Sequence, residues 1–577
     1  MATNNIKDVK TVDSENFDYL LAESNFRIES VFRSRNKAEI QANVPIITDV
    51  IKSSTASDWI VDNSKTKTGS TFDFILDAND YTLFDLRDGV FDVQAQFFYD
   101  DLGIDKVNGS HYVFNKPVFG NQCLFSLFQV MELYIDDVLI QRNQYPGFSS
   151  NAEYALRYPH TTKEEKTLEI NGWVVNDKSK YELQGITTGG TAESTAKTLK
   201  ALNDYDVSGI TLQVIEVASD GTDPAQARIV GNISQRIRIA DMFSVVETLP
   251  PIYNHKITIR LQRGSHNYIC CNTSTYTGSM CNFVGFTKFK LFQDTYVTTD
   301  QYISTAKKYY SKPIETLITQ DKQLLVPLIT TPGKSQTQSF NLNVDAAYKN
   351  KLLTICIPRT TNFTGQRNSI ANYFNSTTGV LAGVSNDTVG REYDVLKAPA
   401  NSYTFGGLRQ LQVQTTSGLM LYNFDMENDG ITQGALGCFV LTNPSTQTNI
   451  HTSDVYMANY QNIYEQYKRA RLHFQQLEDE ALDLETFLKE YCVFCIDLSC
   501  FTLSPNENIR ITMTTSDWGT NYNPFYAYNN ETQIYTNSTL ICNLFCDKVL
   551  RLLPNRRVEL ADMITANTSE VDNSNMA

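Results

Sequence analysis

Hydrophobic and polar residues alternate along most of this chain. In "STFDFILDANDYTLFDLRDGVFDVQAQFFYDD" (70–101), Phe72, Phe74 and Leu76 share one face and Phe91, Val93 and Ala95 share another. The runs are broken at Asn79-Asp80 and Asp88-Gly89. Period-two alternation between such breaks predicts half-buried antiparallel strands. In "LFSLFQVMELYIDDVLIQRNQYPGFSSNAEYALRYP" (124–159), Met131, Leu133 and Ile135 face one way and Glu132, Tyr134 and Asp136 the other. Asp136-Asp137 predicts a tight turn into "VLIQ", and Tyr145-Pro146 a corner into a short helix. The same signal continues at "ITLQVIEVA", "QARIVGNISQRIRIADMF", "HKITIRLQ" and "FVGFTKFKLFQDTYV".

The pattern breaks at "TTDQYISTAKKYYSKP", which predicts a short helix from Asp300 to about Tyr309, ending before Pro313. It resumes at "KQLLVPLITT", "QSFNLNV", "KLLTICIP", "LRQLQVQTTSGLMLY", "CVFCIDL", "NIRITMTT" and "STLICNLFCDKVLRLL". The polar stretches 176–209 and 359–402 predict long surface loops. One segment has the helical period: in 454–477, Tyr456, Tyr460, Ile463, Tyr464 and Tyr467 recur three or four apart and predict an amphipathic helix. Two β-rich halves with no letter-level repeat suggest two β-sandwiches side by side.

Composition supports this picture. The chain has 577 residues, too many for one core, and about two to four domains are expected. Phe and Tyr number 31 each, which favours strands. The formal net charge of −15 argues against a dedicated nucleic-acid surface, so sequence-specific nucleic-acid binding is not expected. Any DNA contact would fall to a partner or to a basic arm bearing Lys7 and Lys10. The opening "MATNNIKDVKTVDSENFDYL" has no apolar secretory core, and no stretch reaches the roughly 20 apolar residues of a membrane span. The odd count of 11 cysteines suits free buried thiols in a reducing compartment, and sequons at Asn108, Asn375 and Asn537 are expected to stay unused.

Candidate chemistry is thin. The six histidines (111, 160, 255, 266, 451 and 473) fall singly, with no metal-ligand spacing. Cys492, Cys495, Cys542 and Cys546 form two short pairs with the thiolates a structural zinc requires, but "YCVFCIDL" reads as a strand, and buried free cysteines are the plainer reading. "DMENDG" (Asp425, Glu427, Asp429, Gly430) begins like a calcium loop but has Leu436 where the closing Glu belongs. "TTGGT" (187–191) lacks the Lys-Ser/Thr of a phosphate loop. "KEEK" (163–166) and "LEDEALDLE" (477–485) read as solvated faces, and "LPNRRVEL" (553–560) as a structural ion pair. No catalytic residue, cofactor site or metal site is expected, and the chain does not read as an enzyme.

The segment "KPVFGNQCLFSLFQVMELYIDDVLIQRNQYPGFSSNAEYALRYPHTTKEEKTLEINGWVVND" resembles the first-half signature of double jelly-roll major capsid proteins of Polinton (Maverick) elements, adintoviruses and Polinton-like viruses. It keeps Leu124-Phe125-Ser126-Leu127-Phe128, the turn at Asp136-Asp137, Tyr145-Pro146 and Tyr154-Ala155-Leu156. It departs in lacking a His before the Ser and in having Asp where Asn is common in the turn. In the second half, "RLHFQQLEDEALDLETFLKEYCVFCIDLSC" resembles the family's helix-then-strand lead into Asp497-Leu498, and "NENIRITMTTSDW" and "LICNLFCDKVLRLLPNRRVEL" its last strands.

The resemblance implies an all-β fold of two tandem eight-stranded jelly rolls with short helical insertions and long surface loops. It divides the chain into an N-terminal arm (1–45), a first jelly roll (46–298), a linker helix (299–312), a second jelly roll (313–565) and a C-terminal tail (566–577). It implies a major capsid protein located in the virion: a homotrimer of pseudo-hexameric outline, tiling an icosahedral shell around double-stranded DNA. Its partners would be neighbouring capsomers and penton or minor capsid proteins. The alternative is a carbohydrate-binding or glycan-processing β-sandwich, which calls for clustered Trp at a cleft. Trp59, Trp173 and Trp518 are far apart in sequence.

Overall fold

The structure is a computed structural model. It describes residues 34–41, 71–76, 82–99, 104–107, 110–113, 117–119, 123–161, 210–216, 227–263, 270–272, 282–297, 311, 313–328, 336–342, 349–357, 408–425, 454–474, 476–484, 487, 491–501, 507–515, 527–529, 534–536, 538–554 and 556–561. Two sets of eight principal strands run through the chain. The first set is β1 (Ser34–Gln41), β2 (Thr71–Leu76), β3 (Val90–Tyr99), β4 (Phe128–Ile135), β5 (Val138–Gln144), β6 (Ala227–Arg238), β7 (Ile257–Arg263) and β8 (Asn282–Val297). The second is β9 (Ile314–Leu328), β10 (Gln336–Leu342), β11 (Lys349–Cys356), β12 (Leu408–Thr415), β13 (Met420–Asp425), β14 (Val493–Asp497), β15 (Ile509–Thr515) and β16 (Ser538–Leu553). Helix α1 (Pro146–Arg157) follows β5, and helix α2 (Asp454–Arg471) lies between β13 and β14.

Pairing is antiparallel and repeats between the halves. In the first, β1, β8, β3 and β6 are neighbours in that order, and β2, β7, β4 and β5 make the facing sheet. In the second, the orders are β9-β16-β11-β14 and β10-β15-β12-β13. Each strand of the second half takes the place of the strand eight earlier. This is the double Greek key of a jelly roll, made twice. Further short strands extend the first sheet of each roll: Ile210–Glu216 beside β6, Thr82–Phe84 beside β8, and Arg557–Ala561 beside β16.

The alternation read from the sequence sets the inner faces. Phe72, Phe74, Leu76, Phe91, Val93, Ala95, Met131, Leu133 and Ile135 are all buried. Phe74 packs edge-on against Phe91 and Phe289, with ring centroids 4.9 Å away in each case. Asp136 and Asp137 both have positive φ (45° and 66°), the backbone that a two-residue hairpin turn needs. The Asp136 carboxylate accepts from Lys256 N at 2.8 Å and pairs with His255, which ties this turn to the approach to β7. Tyr145 turns the chain at φ 50°, and Pro146 opens α1, as the Tyr-Pro corner predicts.

Three boundaries differ from the sequence reading. Ser34–Gln41, placed in the N-terminal arm, pairs along its length with β8. Strand β9 starts at Ile314 rather than near Lys322, because its first half packs on the other roll and carries polar residues that hydrophobic pattern does not mark. Helix α2 ends at Arg471 and passes into a 3-10 turn, Leu472–Phe474, in which Leu472 is exposed and Phe474 packs edge-on against Phe545. The predicted linker helix at 300–309, the loops 176–209 and 359–402 and the C-terminal tail lie outside the described residues.

Gly89 shows how closely the first roll is packed. A Cβ there would sit 2.5 Å from Gln293 Oε1, 2.9 Å from Ile239 Cγ1 and nearer still to Ile239 Cδ1. Both side chains are fully buried and have no room to retreat. Gly89→Ala is expected to cost about 1–3 kcal/mol through overpacking, read as a lowered midpoint in chemical denaturation.

Candidate functional site

The richest constellation of buried polar groups lies where the two rolls meet. Strand β5 is the edge of its sheet, and an edge presents unpaired backbone groups. Here β9 of the second roll covers it with glutamine side chains. Gln320 Nε2 donates to Ile140 O, and Gln144 N donates to Gln323 Oε1 at 2.6 Å. Beside them, Thr319 N donates to Thr248 Oγ1 at 3.2 Å.

A buried polar cluster sits at the centre. Gln141, 1% exposed, donates from Nε2 to Asn143 Oδ1 and Ser244 Oγ, each at 3.1 Å, and to Asp321 of β9. Its Oε1 accepts from Val245 N at 3.0 Å. Ser244 Oγ also reaches Asp321 Oδ1 at 3.5 Å. Burial, reinforced by the negative charge of Glu153 on α1, pushes the Asp321 carboxyl up to about 8. Nearby, Lys351 pairs with buried Asp547 at 2.7 Å, and Thr319 Oγ1 donates to the same carboxylate at 2.9 Å.

The helices close the lower part of the seam. Every residue of α1 is buried. Glu153 pairs with Arg157 at 2.7 Å, and Arg157 also donates to Ala240 O at 3.1 Å. Tyr158 bonds Asp241, while Arg238 holds both, at 2.9 Å to Tyr158 Oη and 2.8 Å to Asp241 Oδ1. From α2, Tyr467 Oη donates to Ala155 O at 2.8 Å. Arg471, fully buried, donates to Tyr158 O at 3.0 Å and to Tyr467 Oη at 3.4 Å. His160 donates toward Ala155 O at 3.4 Å, and burial together with the charge of Arg471 lowers its pKa to about 3.

Apolar packing crosses the same boundary in both directions. Phe148, Ala152, Tyr154, Ala155, Leu156 and Tyr158 belong by sequence to the first half but pack in the core of the second roll. Ile318, Leu550, Leu552 and Val558 of the second half pack in the core of the first. Each roll therefore completes its partner's core, and the paired charges and amides fix their mutual orientation. Removing one member of such a buried pair leaves the other charge uncompensated, which is costly.

The candidates singled out in the sequence fall elsewhere. Cys492, Cys495, Cys542 and Cys546 are all buried, but β11 lies between β14 and β16, so the two pairs are two strand spacings apart, about 9–10 Å. That is too far for one tetrahedral ion. Burial pushes the Cys542 thiol up to about 12 and Cys546 to about 11, so both stay protonated. No cluster of His, Cys, Asp and Glu able to hold a metal occurs among the described residues. Glu478, Asp479 and Glu480 form a short 3-10 turn of partial to full exposure, and Arg557 pairs with Glu559 at 2.8 Å. "TTGGT", "KEEK", Glu427, Asp429, the three Trp, Lys7, Lys10 and the sequon asparagines lie outside the described residues. No helix among the described residues is long and apolar enough to cross a membrane.

Gln141, Glu153, Asp321 and Arg471 were not anticipated. The available signal was a charged or amide residue at an expected inward position of a strand or helix, as with Asp321 in "LITQDKQLL" and Arg471 in "YKRARLHF".

No protein-family model matches this chain, and no curated protein matches it. Among solved structures it is similar to a chain of the Sputnik virophage at 12% identity, with a TM-score of 0.52 over 95% of this chain and 92% of that one. It also aligns with the mavirus major capsid protein (9% identity, TM-score 0.44, 91% and 89% covered). The Faustovirus major capsid protein aligns at 9% identity and a TM-score of 0.37, with 89% and 90% covered. The chain has the double jelly-roll fold that its sequence motifs led us to expect.

Proposed function

We propose that this chain is a major capsid protein, a structural subunit whose trimers of pseudo-hexameric outline tile an icosahedral shell around double-stranded DNA. The observation that carries the reading is the seam. The two rolls dock through unlike surfaces: the β5 edge and its following segments on one, and β9, β16 and the strand Arg557–Ala561 on the other. A contact between unlike surfaces of equivalent units repeats around a ring when the rotation closes. The β13 edge of the second roll and the β1–β8 edge of the first are the matching surfaces by strand order, and a second copy is their natural occupant. Three chains, six rolls, would close such a ring. The end-to-end likeness to a chain of the Sputnik virophage supports the same reading.

The rolls are proposed to span 46–298 and 313–565, with β1 added to the first and 299–312 as the linker. The connections β1–β2, β3–β4, β5–β6 and β7–β8 fall at one end of the first roll, and β2–β3, β4–β5 and β6–β7 at the other. The second roll repeats this polarity, and Arg556 bonding Asn254 at 3.3 Å brings these second ends of the two rolls together. The long connections, including 176–209 and 359–402, would then decorate one surface of the shell. Neighbouring capsomers and penton or minor capsid proteins are the partners expected in the virion.

Light scattering on the purified chain, with negative-stain imaging of the main peak, tests the proposal. A particle of three chain masses with a hexagonal outline is expected. A stable dispersed monomer under all assembly conditions would overturn it.

A further inference from the structure

The sheet β10-β15-β12-β13 presents an outer face made largely of hydroxyl and carboxamide side chains on its first three strands. The registers align Asn341, Arg510 and Gln414 in one row, Ser339, Thr512 and Gln412 in the next, and Thr337, Thr514 and Gln410 in a third. Thr337 and Thr514 share a hydrogen bond of 2.9 Å, as do Ser339 and Thr512, and Gln412 Nε2 donates to Asn423 Oδ1 at 3.2 Å. Across β10, β15 and β12, Arg510 is the one charged residue of these rows, and it is exposed with no ion-pair partner among the described residues; on β13 the rows end in Met420, Asn423 and Asp425.

The matching face of the first roll is different. Its rows read Asp73, Arg260, Glu132, Arg142, and then Ile75, Thr258, Tyr134, Leu139. There the charges are spent within the face: Arg260 pairs with Asp73 at 2.9 Å and Arg142 with Glu132 at 3.5 Å. Two topologically equivalent faces of one chain therefore differ in kind, and the neutral face is not a requirement of the fold.

At the Arg510 corner this face folds into a cavity of about 260 Å³, lined by Ser339, Asn341, Gln414, Thr415, Gly418 and Arg510. Gly418, at φ 94°, lets the β12–β13 turn rise beside it without a side chain. Glu507, the nearest acid in sequence, is engaged by Ser417. The cavity thus offers one cation, two carboxamides and hydroxyl groups held on rigid strands. A polyanion would need several cations, and an apolar ligand would need an apolar wall. A small polyol carrying a single carboxylate matches both the charge and the hydrogen-bonding inventory.

We propose that this cavity binds a carboxylated sugar, with the carboxylate on Arg510 and the hydroxyls on Asn341, Gln414 and Ser339, and that the neutral rows beyond it carry the next sugars of an acidic glycan. Recognition here rests on fixed hydrogen bonds and one ion pair rather than on stacking against an aromatic ring.

The test is saturation-transfer NMR and titration calorimetry on the full chain, in whatever assembly state it adopts, with D-glucuronate, N-acetylneuraminate, D-glucose and inorganic sulfate as probes. Millimolar binding of at least one of the acidic sugars is expected, with glucose weaker by about tenfold or more. Arg510→Gln should weaken the acidic sugar by about tenfold or more and leave glucose unchanged, with an unaltered melting temperature. Ser339→Ala with Asn341→Ala should weaken the sugar but not sulfate. No acidic-sugar binding, equal binding by Arg510→Gln, or sulfate competing on equal terms would each overturn the assignment. Because these readouts do not depend on trimer formation, they stand or fall separately from the capsid reading.

Discussion

Tyr154→Ala is expected to lower the unfolding free energy by about 3–5 kcal/mol and to split one cooperative transition into two. Tyr154 is carried by α1, which follows the first roll's β5, yet its ring lies in the second roll's core. It packs 4.8 Å from His160, 5.5 Å from Tyr491 and 5.9 Å from Tyr158, centroid to centroid. Truncation removes a buried ring and leaves a cavity at the place where the rolls are joined. The loss should therefore fall on the coupling between rolls as well as on local packing. Tyr154→Phe keeps the ring and should stay within about 1.5 kcal/mol of the parent. Urea denaturation followed by far-ultraviolet and near-ultraviolet circular dichroism reads both quantities. A Tyr154→Ala protein with parental midpoint and a single transition would show that α1 is not a coupling element.

Asp321→Asn is expected to remove a pH dependence from the seam. The native carboxyl titrates near 8, and an unfolded Asp near 3.8. Between these values the folded chain holds a proton that the unfolded chain has released, so stability falls as pH rises from about 4 to about 8 and levels off above. The carboxyl is buried with Gln141, Ser244 and Asn143 from the first roll, and Glu153 and Arg157 on α1 act on it through charge. Asn keeps the acceptor that Gln141 and Ser244 use and has nothing to ionise. The variant should match the parent near pH 4 and exceed it by about 2–4 kcal/mol at pH 9, within the scale of 1.4 kcal/mol per pKa unit. His160 works in the opposite sense. Its native pKa near 3 means that it contributes stability above about 6.5 and loses it as pH falls toward 3. Since His160 is common to both proteins, the difference between their pH profiles isolates Asp321. Coincident profiles from pH 4 to 9 would refute the assignment.

The strands were legible because their inner faces are apolar and their outer faces polar. β4, β7, β10, β15 and β16 appear in the sequence close to their observed bounds. The hairpin at Asp136-Asp137 was legible from its turn residues. What escaped was the seam. Asp321 and Gln320 lie on a strand whose first half faces another roll, so its pattern mixes polar and apolar residues and does not alternate cleanly. Arg471 falls four residues after Tyr467, on the apolar stripe of its helix, but an arginine there does not mark itself as buried without the carbonyl of Tyr158 and the hydroxyl of Tyr467 that receive it. β14 is covered on both faces, so Cys492 and Cys495 are both buried, although alternation would send one of them outward. These positions answer to a neighbour distant in sequence, which a local period cannot report.

The reciprocal exchange of core residues also constrains how the protein is made. Leu550, Leu552 and Val558, which complete the first roll's interior, leave the ribosome only after the second roll has been translated through its last long strand. Throughout synthesis the first roll waits with an unfinished apolar flank, and nascent chains on one messenger hold such flanks close together. The first roll then completes its fold only after the second has been made, and the exposed interval is when a chaperone, or a misdirected neighbour, has its opportunity.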